Sequence, residues 1–429
     1  MAASGITAAP EKDISSVGVS DSVEKVKRLG FAWPQWSLRS MFESGYSSHR
    51  IVALEGMRGF AALFVFFVHF YSLFGANAQQ HSLLRGAMHF AGQVGNTGVD
   101  IFFVISGFLM YGIVLRKPTP FLKYLGRRAK RLYPVFLVMF FIYAVISLTV
   151  PSESKIPMAL GPGLGYILAN LAMLPGMLSI KPLITVAWSL SYEWFFYLIL
   201  PLSVWALDLR SWTPAKRVAL VLAVCAAQSA LCFAHVSSHQ RLIMFGAGIL
   251  LWELTTCFDV TPYLGFRGEF VAIAIAITGV AWVGIAAMPH NPGGLSQTPM
   301  LPVATPILFV SIFGFTLYSL FFHGVLNRLF SLTFLRWMGN ISYSYYLCHG
   351  LTLHVLARAL HAWLGNRPLS PVLFLILAAF SVVATIVVGA LLFLTIEKPL
   401  SLSSAAAAVE KANPRKVMPE AVAPSAAAQ

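Results

Sequence analysis

The sequence predicts an all-α integral membrane protein of about ten transmembrane helices, with N- and C-termini both cytoplasmic. Three observations carry this. Hydrophobic residues make up 58% of the 429 and charged residues only 11%, against roughly 25% charged in soluble domains. The mean hydropathy is +0.74. The apolar runs are long and continuous, which suits helices and not the alternating pattern of a membrane β-barrel.

Taken in order, the runs at 51–73, 97–115, 132–150, 184–207, 218–234, 241–257, 269–288, 303–323, 341–361 and 371–395 are each expected to span. The piece 164–180 is apolar but broken by Pro175 and Gly176, so it is expected to be a short re-entrant or interfacial helix. Residues 1–50 form a cytoplasmic, partly disordered tail without the short apolar core of a signal peptide. Within it, 31–42 mixes aromatics with Arg39 and reads either as a membrane-surface segment or as a linker. Residues 51–400 form the transmembrane domain, and 401–429 an Ala-rich, disordered cytoplasmic tail.

Charge sets the orientation. With a cytoplasmic N-terminus, 23 of the 30 Lys and Arg fall on the inside and five outside, with Arg58 and Arg358 inside spans. An odd number of spans would scramble this partition. The net charge of +14 therefore reports topology first and is not evidence for nucleic-acid binding. Cys225, Cys232, Cys257 and Cys348 show no CxxC spacing, so neither a disulfide framework nor a metal site is expected.

The first span holds Arg58 and His69. Ionisable groups in hydrocarbon are costly and point to function. Eleven residues is close to three helical turns, so both side chains share one face, roughly 16 Å apart along the axis. Glu55, three residues before Arg58, is placed to pair with it. The competing readings are a snorkelling arginine and a packed histidine.

Asp100 enters the second span at the expected depth of His69, and a carboxylate beside an imidazole fixes its tautomer. Gly107, beside Ser106, permits close helix packing. In the basic loop 116–134, Arg127, Arg128 and Arg131 cluster at helical spacing. They suit bidentate phosphate binding, or else plain positive-inside charge. In the run 188–197, Ser189, Glu193 and Tyr197 make one polar stripe, either substrate-facing or a structural network. In 340–349, Ser342, Tyr345 or Tyr346, and His349 share a face, with His349 the more structural candidate. His235 and His239 are four apart around a short outside loop, a poor arrangement for a metal.

The chain resembles the acyltransferase 3 family of membrane acyltransferases. The pieces that carry this, in family order, are Arg58 with ten residues before His69, the stretch 98–108, the Arg-rich loop ending at Pro134, the WSLSYE run from Trp188, the SYSYYL run with His349, and Glu397-Lys398-Pro399. They cover about 50–400. The usual second acid after WSLSxE is Trp194 here, so its role is absent or moved. The resemblance implies acyl-CoA (acetyl-CoA first) as co-substrate with no bound cofactor, O-acylation of a carbohydrate or glycolipid acceptor such as a surface polysaccharide or lipopolysaccharide, and Arg58 with His69 as the essential pair.

On this reading the protein is a multi-pass O-acyltransferase of the bacterial inner membrane. Arg127, Arg128 and Arg131 hold the donor, and His69 acts as general base or acyl carrier. Asp100 orients His69. Ser189, Glu193, Tyr197 and His349 complete the substrate- and donor-binding set. The rival is a transporter or flippase that uses Arg58, Asp100, Glu193 and His69 as a relay. Against it, the chain shows no repeated half-structure.

Overall fold

The computed structural model describes residues 41–42, 51–79, 82–234, 239–287, 301–365 and 367–402. The tails and the segment 31–42, Met41 and Phe42 apart, lie outside the described residues. The described residues contain helices and no strand.

In chain order the helices are α1 (Val52–Phe74), α2 (Leu83–Val94), α3 (Thr97–Arg116), α4 (Phe121–Thr149), α5 (Leu160–Leu171), α6 (Trp188–Ala206) and α7 (Pro214–Phe233). They continue with α8 (Ile243–Cys257), α9 (Phe266–Ala287), α10 (Leu301–Phe321), α11 (Val325–Phe330), α12 (Thr333–Leu364) and α13 (Pro371–Leu392). A π-helical turn, Phe393–Leu402, extends α13.

A helix lies at each of the ten expected spans. Among the described residues, five stretches are long and apolar enough to cross a membrane: Val52–Asn77, Leu83–Arg116, Phe121–Thr149, Pro214–Phe233 and Pro371–Ser401. The others fall short for identifiable reasons. Helix α8 has 15 residues, and α12 carries Asn340, Ser342, Ser344 and His349 on its buried side. Large apolar side chains such as Phe141, Val310 and Phe380 are more than half exposed, as suits a surface solvated by lipid tails.

The piece at 164–180 holds the 12-residue α5 and then turns. Gly176 has φ +94°, and a Cβ there would stand 2.4 Å from the Trp188 carbonyl oxygen. Only glycine accepts both constraints. The turn seats the start of α6 against this connection. Asn170 also holds it, accepting from the Leu183 N–H at 2.7 Å. Lys155 donates to the Leu183 carbonyl (3.0 Å) and the Thr185 hydroxyl (3.0 Å), and burial there lowers its pKa below the ordinary lysine value.

Helices α1 and α12 form the most extensive pair in the molecule. A Cβ on Gly339 would meet the Glu55 carbonyl oxygen at 1.8 Å, and one on Gly59 the Leu335 oxygen at 2.1 Å. The two backbones therefore touch, as small residues allow in membrane helix pairs. Gly107 does the same for α3 against α8, where a Cβ would lie 2.2 Å from the Phe245 oxygen. Beyond the main core, a satellite cluster of Phe66, Phe70, Phe74, Leu353 and Phe374 joins α1, α12 and α13.

Candidate functional site

Arg58 is half-buried on α1 and reaches across to α12, where its Nη2 donates to Ser342 Oγ at 2.9 Å. Ser342 in turn donates to the Gly339 carbonyl at 2.7 Å. The hydroxyl is thus oriented by its own helix to accept from the guanidinium. Arg58 shares its electrostatic surroundings with Arg131, Glu397, Glu193 and Tyr197. These come from α4, the π-turn and α6, so with α12 four elements besides α1 converge on one buried polar cluster.

Within it, Glu193 Oε1 accepts from Ser106 Oγ of α3 at 2.8 Å and from the Tyr197 hydroxyl one turn on. Arg131 Nη1 lies 3.2 Å from Glu397 Oε1. The other carboxylate oxygen of Glu397 accepts from Ser344 Oγ (2.6 Å) and the Ser344 N–H (3.2 Å). Glu397 is fully buried, and the wide π-turn aims it inward; such turns often mark functional positions. In the sequence, Glu397 enters only as part of the Glu397-Lys398-Pro399 piece of the family resemblance, with no site role expected for it. Tyr343 ties α12 to α4, donating to the Leu132 carbonyl at 2.6 Å.

The basic loop is the first part of α4. Arg127 is exposed, whereas Arg128 and Arg131 are half-buried. The Arg128 guanidinium lies 5.8 Å from the centre of the Tyr124 ring, and its buried Nε has no partner among the described residues. Ser189 is hydrogen-bonded to the Tyr346 hydroxyl at 2.8 Å, so the expected stripe on α6 divides: Ser189 faces α12 while Glu193 and Tyr197 face the cluster. Trp194, where the family pattern has an acid, packs edge-on against Tyr133.

His69 lies toward the other end of α1. Its ring centre is 5.0 Å from that of His349 on α12, the two planes inclined at 66°. Two expected pairings are corrected. Asp100 Oδ2 pairs with Arg241 Nη1 at 2.6 Å, not with His69. Arg241 also donates to the Asn96 carbonyl and lies over the Trp188 ring. Equal depth in a membrane does not make two residues lateral neighbours, and a buried carboxylate takes the nearest cation. Arg241 is one of the five Lys and Arg expected on the outside. Glu55 pairs with Arg336 of α12, with Oε2 and Nε 3.4 Å apart, in place of the expected Arg58. A further buried pair joins Arg217 to Glu253 through two bonds of 2.5 and 3.0 Å, with Tyr111 donating to the same carboxylate. It ties α7 and α8 to α3. No group of three or more His, Cys, Asp or Glu among the described residues is placed to hold a metal.

A helical bundle with an apolar belt and a charged centre is a membrane protein built for polar chemistry at depth. The family model described as an acyltransferase domain, acyltransferase 3, matches residues 51–393. The chain belongs to the acyltransferase 3 family and is an acyltransferase. It is 27% identical over 287 residues to the exopolysaccharide production protein ExoZ of Rhizobium meliloti (strain 1021), covering 65% of this chain and 82% of that protein. It is 29% identical over 364 residues to the acyltransferase MdmB of Streptomyces mycarofaciens, covering 82% of this chain and 91% of the relative. No solved structure matches it.

The Asp100–Arg241 pair yields a test. Asp100→Asn leaves a buried guanidinium without its counter-charge, a loss of about 3–5 kcal/mol. The expected result is a clearly lower unfolding temperature in detergent, partly restored by adding Arg241→Gln. An unchanged unfolding temperature with reduced turnover would instead return Asp100 to the chemistry.

Proposed function

We propose that this protein transfers an acyl group, acetyl first, from cytoplasmic acyl-CoA to a hydroxyl of a sugar-containing acceptor at the bacterial inner membrane. The observation that carries this reading is the layout of α1. One face holds Arg58 inside a charged cluster fed by α4 and, about three turns on, a half-buried histidine. The name of the ExoZ relative supports a carbohydrate acceptor.

In this account Arg128 and Arg131 hold donor phosphates by charge-assisted bonds. Arg127, exposed on the helix, assists from outside the cluster. The pantetheine arm runs along α1 past Arg58 to His69. His69 takes the proton from the acceptor hydroxyl as its oxygen attacks the thioester carbonyl. The C–S bond breaks, the CoA sulfur leaves, and the proton passes from His69 to the thiolate. The new bond is the ester C–O. Glu193 and Tyr197 line the acceptor path.

Ten spans with cytoplasmic ends fit this scheme. At the expected outer end, Glu153 pairs at 2.6 Å with Arg358, a residue expected within the ninth span, and Asn77 donates to the Gly365 and Arg367 carbonyls. Glu55 with Arg336 and Arg217 with Glu253 pair at the opposite end. Single cysteines tested with an impermeant thiol reagent should label at Ser82 from outside and at Ser403 only after the membrane is opened. Outside labelling at 403 would show a miscounted span.

The function itself is tested with purified protein in detergent and labelled acyl-CoA, where no transport is scored. His69→Ala should abolish transfer with insertion intact. Arg128→Lys keeps the charge but loses the planar fork. It should raise the donor KM by roughly 10- to 150-fold, the equivalent of one charge-assisted bond of ~1.5–3 kcal/mol, with smaller effects from Arg127→Lys. Normal turnover in His69→Ala would remove the base assignment. Unchanged donor kinetics in the arginine variants would reduce the loop to topology alone.

A further inference from the structure

The assignment of His69 as a base leaves open what holds its ring, since Asp100 is engaged elsewhere. The neighbour on α12 supplies an answer. His349 is completely buried, and its Nδ1 lies 2.7 Å from the Tyr346 carbonyl oxygen and 3.2 Å from that of Tyr345. A carbonyl oxygen only accepts, so Nδ1 carries the proton in the neutral ring. Nε2 is therefore a lone pair. It is buried without a partner among the described residues. Leaving such an acceptor unsatisfied in a buried site is unfavourable.

The ring of His349 is also locked. It stacks on Tyr345 with planes inclined by 6° and centres 5.5 Å apart, and Tyr346 packs against it at 5.7 Å. His69 is the contrasting partner. It is only half-buried, and its ring makes no hydrogen bond to another described residue. The two rings are 5.0 Å apart, edge to face. Of the two neighbouring rings, His69 is the one free to reorient toward the other.

We propose that His349 is the positioning residue for His69: its Nε2 accepts an N–H from His69 and so keeps the other His69 nitrogen unprotonated and turned toward the acceptor hydroxyl. This rests on the reading of His69 as the base. It gives the rigid inner histidine the orienting task that a carboxylate performs in a Ser-His-Asp triad. It adds no charge to the membrane interior. In this role His349 acts through His69 rather than on donor or acceptor, in place of the binding role expected from the sequence.

Two substitutions separate orientation from packing. His349→Phe keeps a flat ring to stack on Tyr345 but has no acceptor. His349→Gln loses the ring but places an amide oxygen near the position of Nε2. The proposal expects kcat in His349→Phe to fall roughly 10- to 100-fold, as when a partner that orients a functional histidine is removed. The donor KM should be unchanged, and His349→Gln should recover most of the loss. A packing role predicts the reverse order, with Phe better tolerated than Gln, and that order overturns the proposal while His69→Ala remains inactive. An active His69→Ala would remove the base reading, and the proposal with it. Should His349→Phe not insert, nitrogen-15 spectra of histidine-labelled wild-type protein decide. An unprotonated, hydrogen-bonded Nε2 at His349 supports the proposal, and a protonated one overturns it.

Discussion

Backbone contact between α1 and α12 is the constraint on which the site depends. Gly59 and Gly339 let the two helices touch without side chains between them. At that spacing a short serine reaches a guanidinium, and two imidazoles meet ring to ring. Any larger residue at either glycine would part the helices, and both contacts would open together. The inner and outer halves of the site are thus set by one seam.

The second organising rule is that charges within the bundle find partners. Asp100 is neutralised by Arg241, Glu253 by Arg217, and Glu397 by Arg131, each across two different helices. An unpaired charge at such depth would cost several kcal/mol. These pairs hold the helices in register around the cluster at Arg58. Glu397 has a double role. It neutralises Arg131, and through Ser344 it grips α12 two residues from Ser342. His69 stands apart from this pairing and is half-buried.

Much of this was legible in the sequence, for reasons that can be named. Apolar runs of spanning length marked a helix at each of the ten positions, and helical periodicity placed Arg58 and His69 on the face that meets α12. Gly107 was read as a close-packing residue, and it lies against the Phe245 backbone. What failed was lateral. Depth along a helix says nothing about which neighbour stands beside it, so Asp100 was matched to His69 and Glu55 to Arg58, while the true partners lay 141 and 281 residues further on in the chain. Arg241 and Glu397 looked like boundary charges because each sits at the end of an apolar run. Helix α2 went unnoticed because Leu83–Val94 is short and mixed in polarity, below the length that a spanning criterion detects. The partner of His69 was visible only as a candidate, since nothing in the spacing of His349 shows which way its lone pair is directed.

The central claim is that one face of α1 carries the donor from a cytoplasmic phosphate site to His69. A structure of the purified protein with bound CoA tests it most directly. The account predicts the nucleotide phosphates against Arg128 and Arg131, the pantetheine arm passing Arg58, and the sulfur beside the His69 ring. A CoA molecule bound away from these arginines, or one whose sulfur ends far from His69, would contradict it.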